Sequence, residues 1–120
     1  MDKKILLVDD AAFMRMLIKD ALTKNGYTNI LEAADGAIAC DVYAAEKPDL
    51  VIMDITMPNK TGIEALKDLQ GMDPLAKVVM CSAMGQEAMV VEAIKLGALD
   101  FIVKPFKPDR ILQTVKKVLG

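Results

Sequence analysis

The sequence contains no histidine, no tryptophan and only two cysteines among its 120 residues. Without histidine, Ser-His-Asp catalysis, Cys-His catalysis and zinc sites with imidazole ligands are excluded. Cys40 and Cys81 lie in apolar segments without metal-like spacing, so we interpret both as reduced core thiols. Any chemistry must therefore use carboxylates, hydroxyls, lysine and bound cations.

Long apolar runs and clustered charge are also missing. No hydrophobic stretch approaches the roughly 20 residues that cross a bilayer, and residues 1–20 lack the order of a secretory signal. The formal net charge is −2, and no arginine-rich or aromatic-studded strip indicates a nucleic-acid surface. We therefore expect a cytoplasmic protein without membrane insertion or a nucleic-acid partner. Its length suits a single domain over residues 1–120.

Short apolar segments alternate along the chain with amphipathic segments of helical spacing. The apolar segments predict strands at residues 4–8, 30–34, 50–53, 77–81 and 100–103. The amphipathic segments predict a helix that begins near Ala12, carries Met14, Leu17, Ile18, Ala21 and Leu22 on its apolar face and ends before Gly26, and further helices at 36–46, 62–70, 86–96 and 108–119. Strands that are apolar on both faces indicate a parallel sheet covered by helices on both sides. We predict a doubly wound, flavodoxin-like (βα)5 fold of strand order 2-1-3-4-5.

Polar side chains follow four of the five predicted strands. Asp9 and Asp10 follow the first, Asp54 the third, Ser82 the fourth and Lys104 the fifth. A sheet of this order binds ligands at the carboxyl ends of its strands. Individually, Asp10 also suits a helix cap and Ser82 a turn. Their joint placement favours one site.

The charges of this set indicate its ligand. Two carboxylates about 4 Å apart repel by roughly 4 kcal/mol at an effective dielectric constant of about 20, so three clustered carboxylates require a cation. Oxygen-only ligands with several waters suit Mg²⁺ better than Ca²⁺. Mg²⁺ beside an ammonium and a hydroxyl suits a phosphoryl group. Asp54 is then the candidate nucleophile, which would form an aspartyl phosphate.

The segments VDDAAFMR, MDITMP, CSAMGQ and DFIVKPF together resemble the motifs of response-regulator receiver domains, in particular those of stand-alone chemotaxis regulators. The resemblance extends from Lys4 to Leu119 and implies two-component phosphorelay signalling, in which a histidine kinase is the donor. It further implies a signalling protein that catalyses its own phosphotransfer and slow dephosphorylation with Mg²⁺, or Mn²⁺ as a substitute. By position, the resemblance implies that Asp54 is the phosphoacceptor. It implies that the metal ligands are Asp9, Asp10, Asp54 and the Thr56 carbonyl, with Asp9 acting mostly through water. It also implies that the phosphoryl-binding and switch residues are Ser82, Ala83, Lys104 and Phe101. A cis bond between Lys104 and Pro105 is also implied.

Several positions vary within that family. The switch aromatic is Phe101 instead of the frequent tyrosine, so no phenolic hydroxyl is available. Thr56 and Met84 occupy positions that in the family tune water access to the phosphoaspartate, and neither is acidic or amide-bearing. Ser82 stands where threonine is also common.

The resemblance also implies how the signal is passed on. Only Gly120 follows Leu119, so we expect no effector domain and a monomer that acts by docking, with the flagellar motor switch protein as the partner in chemotaxis. The candidate docking residues are Val91, Lys95, Phe101 and Lys116 for the target, and Phe13 and Met16 for the chemotaxis kinase or a phosphatase. Solvated helix surface is the alternative interpretation of the lysines, and ordinary helix–loop packing is the alternative for Phe13 and Met16.

Three other functions are compatible with parts of the pattern. A flavodoxin-like electron carrier shares the sheet order, but its first strand should lead into a Ser/Thr/Gly-rich phosphate loop, whereas DDAAF would repel a phosphate there unless a metal were present. A magnesium-dependent phosphohydrolase would use the same acids but normally needs a substrate pocket or cap segment. A phosphorelay intermediate of a non-chemotaxis pathway remains open at this point.

Overall fold

The computed structural model describes residues 3–120, so the first two residues of the predicted domain lie outside the described range. Five strands alternate with five helices in this range. The strands are β1 (Lys4–Val8), β2 (Asn29–Ala33), β3 (Leu50–Asp54), β4 (Val78–Ser82) and β5 (Asp100–Val103). The helices are α1 (Ala12–Thr23), α2 (Gly36–Glu46), α3 (Gly62–Met72), α4 (Glu87–Lys95) and α5 (Pro108–Leu119). All strand pairs are parallel in the order β2-β1-β3-β4-β5, which confirms the predicted topology.

The three central strands are buried on both faces, which explains their uninterrupted apolar sequences. Alternate side chains enter two separate cores, one under α2, α3 and α4 and the other under α1 and α5. The first core receives Leu6, Val8, Val51, Met53, Val78 and Met80, and the second receives Ile5, Leu7, Leu50, Ile52, Val79 and Cys81. Cys40 is half-buried and Cys81 is buried, and both are free thiols. Burial raises the pKa of the Cys81 thiol to about 12, so this thiol stays protonated and inert.

The predicted apolar face of α1 is wrong at Leu17. Ile18, Ala21 and Leu22 are buried, but Leu17 is 45% exposed. It lies at the rim of the groove between α1 and α5, outside the stripe of α1 that is buried against the sheet and α5. The suggested cap at Asp10 is also absent, since Ala11 is the N-cap residue and has no side-chain cap bond.

Gly62 controls how the chain leaves β3. Its N–H donates to the Ile55 carbonyl at 2.7 Å. A Cβ at this position would lie 2.1 Å from the Asp54 carbonyl oxygen, so only glycine permits the approach. Thr61, directly before Gly62, forms a capping box with Glu64 that fixes the first turn of α3. Asp54 is therefore held between a buried strand and a capped helix.

Within residues 3–120, we find no helix with the length and apolar character required to span a membrane.

Candidate functional site

Three carboxylates meet at the carboxyl edge of the sheet. Asp9, Asp10 and Asp54 each offer an oxygen within 4.8 Å of the others. β1 and β3 are neighbouring parallel strands, so the residues that end them lie side by side. Asp9 is only 4% exposed, Asp54 is half-buried and Asp10 is exposed. This all-oxygen set, open to water on the side of Asp10, fits the ligands that Mg²⁺ prefers.

Lys104 joins the two more buried acids. Its Nζ lies 3.0 Å from Asp9 Oδ2 and 3.2 Å from Asp54 Oδ2. Burial disfavours the charge of this lysine, but the hydrogen bond to Asp9 and the two negative charges outweigh burial and raise the pKa of Lys104. Burial, together with the charge of Asp9, raises the pKa of the Asp54 carboxyl, although Lys104 acts in the opposite direction. A further cation beside Asp54 would favour its ionised form, which is the nucleophilic one.

Asp9 is fixed on both its side chain and its backbone. Its Oδ1 accepts the Ala11 N–H at 2.9 Å. Arg15 donates to the Asp9 carbonyl and is itself paired with Glu32 at 2.9 Å. The position of Asp9 is thus set by contacts with β2 and α1, while Asp10 projects from the exposed turn.

Ser82 is the last residue of β4, the strand that pairs with β3. The residue is 1% exposed, and its carbonyl accepts the Lys104 N–H at 2.7 Å, which ties the ends of β4 and β5 together. The peptide bond between Lys104 and Pro105 is cis, as the resemblance implied. The sheet therefore brings all five predicted strand-end residues to one edge.

The side chain of Gln86 makes two hydrogen bonds that the sequence analysis did not predict. The Ala83 N–H donates to Gln86 Oε1 at 2.6 Å, and Gln86 Nε2 donates to Thr56 Oγ1 at 2.7 Å. The Thr56 N–H in turn makes a long contact of 3.4 Å with Asp54 Oδ1. The available sequence signal is a polar side chain four residues after the end of a strand that borders the site.

The candidate docking residues separate into different surfaces. Phe101, Val91 and Lys95 line one apolar groove of about 690 Å³ between α4 and β5, which Ser82 also borders. Lys116 is exposed on α5 and does not line this groove. Phe13 and Met16 are 63% and 58% exposed on α1.

Comparison with known proteins identifies the family. Residues 5–116 match the response regulator receiver domain. The chain belongs to this family. It is 57% identical over 118 residues to the chemotaxis protein CheY of Thermotoga maritima, with 98% of each chain covered. It is 56% identical over 120 residues to the chemotaxis protein CheY of Bacillus subtilis, with 100% of each covered.

Solved receiver domains share the fold. The receiver domain of NtrX from Brucella abortus superposes with a TM-score of 0.92 at 34% identity, covering 97% of this chain and 98% of the other. Family membership makes this receiver domain a response regulator of two-component signalling and favours a signalling role over that of a classical enzyme. The electron-carrier and phosphohydrolase interpretations receive no support.

Proposed function

We propose that this receiver domain accepts a phosphoryl group on Asp54 from a histidine kinase, in a Mg²⁺-dependent reaction that controls chemotaxis. The observation that carries the proposal is the cluster of Asp9, Asp10 and Asp54 within 4.8 Å, with Lys104 bonded to two of the three. A pair of aspartates with no chemical role needs no neighbouring cation. A carboxylate that attacks phosphorus does need cations, because they stabilise the negative oxygens of the incoming phosphoryl group.

The reaction is a single transfer. An Asp54 carboxylate oxygen attacks phosphorus, the bond from phosphorus to the imidazole nitrogen of the donor breaks, and the leaving imidazole takes up a proton. Asp9, Asp10, Asp54 and the Thr56 carbonyl are the residues that would hold Mg²⁺, which supplies positive charge to the phosphoryl oxygens. Mn²⁺ has similar ligand preferences and should substitute.

The other residues of the edge receive the transferred group. Lys104 is already placed 3.2 Å from Asp54 Oδ2, where its ammonium would pair with a phosphoryl oxygen. The Ser82 hydroxyl and the Ala83 N–H would donate hydrogen bonds to the other oxygens. Together they would compensate the roughly 1.5–2 negative charges that phosphorylation adds.

We propose further that the receiver domain acts in the cytoplasm as a monomer and transmits its state by docking. The groove between α4 and β5 is apolar and carries Phe101 on its wall, which suits a helix or peptide of a partner. Since the relatives most similar to this chain include chemotaxis proteins, the flagellar motor switch protein is the proposed target. Phe13 and Met16 on α1 are the proposed contacts for the kinase or a phosphatase.

The proposal is tested by incubating the protein with acetyl phosphate and following its intact mass. We expect a labile gain of one phosphoryl group with Mg²⁺ and none with a chelator. Asp54→Asn should abolish the gain, Lys104→Ala should reduce it, and Asp41→Asn, which changes an exposed carboxylate of α2, should leave it intact. A gain that is independent of Mg²⁺ would contradict the proposal.

A further inference from the structure

The side chain of Gln86 lies across the proposed phosphoryl site. Its amide oxygen is 2.6 Å from the Ala83 nitrogen, and its amide nitrogen is 2.7 Å from Thr56 Oγ1. Thr56 follows β3 two residues after Asp54, and Ala83 follows β4 directly after Ser82. The carboxamide therefore bridges the two loops that flank Asp54.

The hydrogen bond between the Ala83 N–H and Gln86 competes with the phosphoryl binding proposed above. One N–H group makes one well-aligned hydrogen bond, and phosphoryl binding requires the Ala83 N–H to donate to a phosphoryl oxygen. In this structure that donor already has an acceptor at a short distance. The phosphoryl group must therefore displace Gln86 before the Ala83 N–H can donate to it.

The local backbone and the chemistry of the carboxamide explain why the Gln86 side chain is directed towards Ala83 and Thr56. Gln86 is the N-cap residue of α4, but its side chain makes no cap bond and is directed back to Ala83 instead. Gly85 precedes it with φ +90°, a backbone conformation that turns the chain back at this point. A glutamine satisfies Ala83 and Thr56 at the same time because one end of its carboxamide accepts and the other donates.

We propose that Gln86 is an intramolecular competitor for the phosphoryl site, whose amide oxygen occupies the place of a phosphoryl oxygen until the group arrives. This inference rests on the function proposed above. The exchange is favourable for a phosphoryl group because charge-assisted hydrogen bonds are about twice as strong as neutral ones. Weaker acceptors gain too little to displace the glutamine, so the competitor lowers the occupancy of the site by ligands other than the transferred group.

The proposal predicts a gain of affinity when Gln86 is removed. Binding of beryllofluoride, a mimic of the phosphoryl group, is measured in the presence of Mg²⁺ by calorimetry or by fluorine NMR spectroscopy. Gln86→Ala and Gln86→Met should each bind roughly 3- to 10-fold more tightly than the wild type, which corresponds to one neutral hydrogen bond. Thr56→Val should give a smaller gain, since it removes only the anchor of the carboxamide. Gln113→Ala, which changes an exposed glutamine of α5, is the matched control.

A second readout needs no ligand. The Ala83 amide proton should exchange with solvent faster in Gln86→Met than in the wild type, while amides in the β3 core stay unchanged. This separates a lost hydrogen bond from a damaged fold.

The possible outcomes are distinct. Unchanged or weaker beryllofluoride binding in both Gln86 variants would overturn the competitor role and leave phosphorylation at Asp54 intact. Tighter binding in Gln86→Ala but not in Gln86→Met would assign the effect to bulk and would also overturn it. If the wild type binds neither beryllofluoride nor a phosphoryl group, the proposed function is refuted, and this inference is refuted with it.

Discussion

A compact ionic group is formed by Asp9, Asp54 and Lys104, and its charge balance depends on each of the three side chains. Lys104 is in contact with both carboxylates, and Asp10 adds a third negative charge at the exposed side. A divalent cation at this edge would therefore relieve repulsion in the folded protein, whereas the unfolded chain holds its acids apart. Metal binding and folding should be linked at this site.

The first prediction concerns that linkage. Mg²⁺ at ten times its dissociation constant should raise the free energy of unfolding by about 1.4 kcal/mol. Asp10→Asn should lose most of this gain, because it removes a ligand, and should raise stability in the absence of metal, because it removes repulsion. Thermal unfolding with and without Mg²⁺ measures both effects, with Asp41→Asn as the control. Equal responses of Asp10→Asn and the wild type would exclude Asp10 as a ligand.

Residue chemistry explains which part of the site could be predicted from sequence. Asp9 directly follows β1, and Asp54 and Ser82 are the last residues of β3 and β4, so the strand order alone brings these residues together. The bridge made by Gln86 depends on a side-chain rotamer and on a loop whose course is set by Gly85, so no periodicity in the sequence indicates it.

At the scale of the elements, the far end of the domain is held by a polar contact between two helices. Tyr43 of α2 donates its hydroxyl to Asp73 Oδ2 at 2.9 Å, and Asp73 is the C-cap residue of α3. Tyr43 is 4% exposed. Burial, reinforced by the hydrogen bond to Asp73, raises the pKa of Tyr43 to about 12, whereas an unfolded tyrosine titrates near 10.

The second prediction follows from this difference in pKa. The folded state keeps the phenolic proton at pH values where the unfolded state loses it, so the contribution of Tyr43 is complete below about pH 10 and decreases as pH rises towards 12. Tyr43→Phe should be less stable by about 1 kcal/mol at pH 8. Its deficit relative to the wild type should shrink above pH 10. Urea unfolding between pH 8 and 11.5 measures this, and a constant deficit throughout would contradict the raised pKa.

Element boundaries were predictable where the chain carries explicit signals. α5 begins at Pro108 and ends at Leu119 as predicted, because proline suits the first turn and the apolar spacing is strong. Residues without a local stop signal were less well placed. α3 continues two residues beyond the predicted Gln70, and β4 extends to Ser82, one residue further than predicted. The exposure of Leu17 depends on how α5 packs beside α1, which periodicity within α1 does not encode.

At the scale of the whole molecule, the site and the proposed docking groove share a boundary. Ser82 ends the strand beside Asp54 and also lines the groove with Phe101. The Phe101 side chain is half-buried, and its carbonyl accepts from Arg110 of α5 at 3.0 Å. If Ser82 moves towards a phosphoryl group, the ring of Phe101 gains room to turn inward. Full burial of such a ring stabilises by at most about 1.5–3 kcal/mol, which suffices for a shift in population but not for an all-or-none switch.

The third prediction tests this coupling. Phosphorylated Phe101→Ala should still carry its label at Asp54 but bind a motor-switch peptide poorly. Ser82→Ala should become phosphorylated without the accompanying rise in affinity. Leu75→Ala, which truncates a side chain that is 86% exposed and does not line the groove, should behave as the wild type. Titration of each phosphorylated variant measures the effect. Phosphate-dependent affinity that persists undiminished in both variants would refute the coupling and leave the phosphoacceptor assignment untouched.

The most direct test of the central claim is reductive trapping of the phosphorylated protein. Borohydride reduces an aspartyl phosphate to homoserine, and peptide mapping by mass spectrometry then locates the modified residue. After reaction with a phosphorylated histidine kinase in Mg²⁺, the account predicts homoserine at position 54 and at no other aspartate. Trapping at Asp9 or Asp10, or a stable phosphate on Ser82 or a threonine, would contradict it.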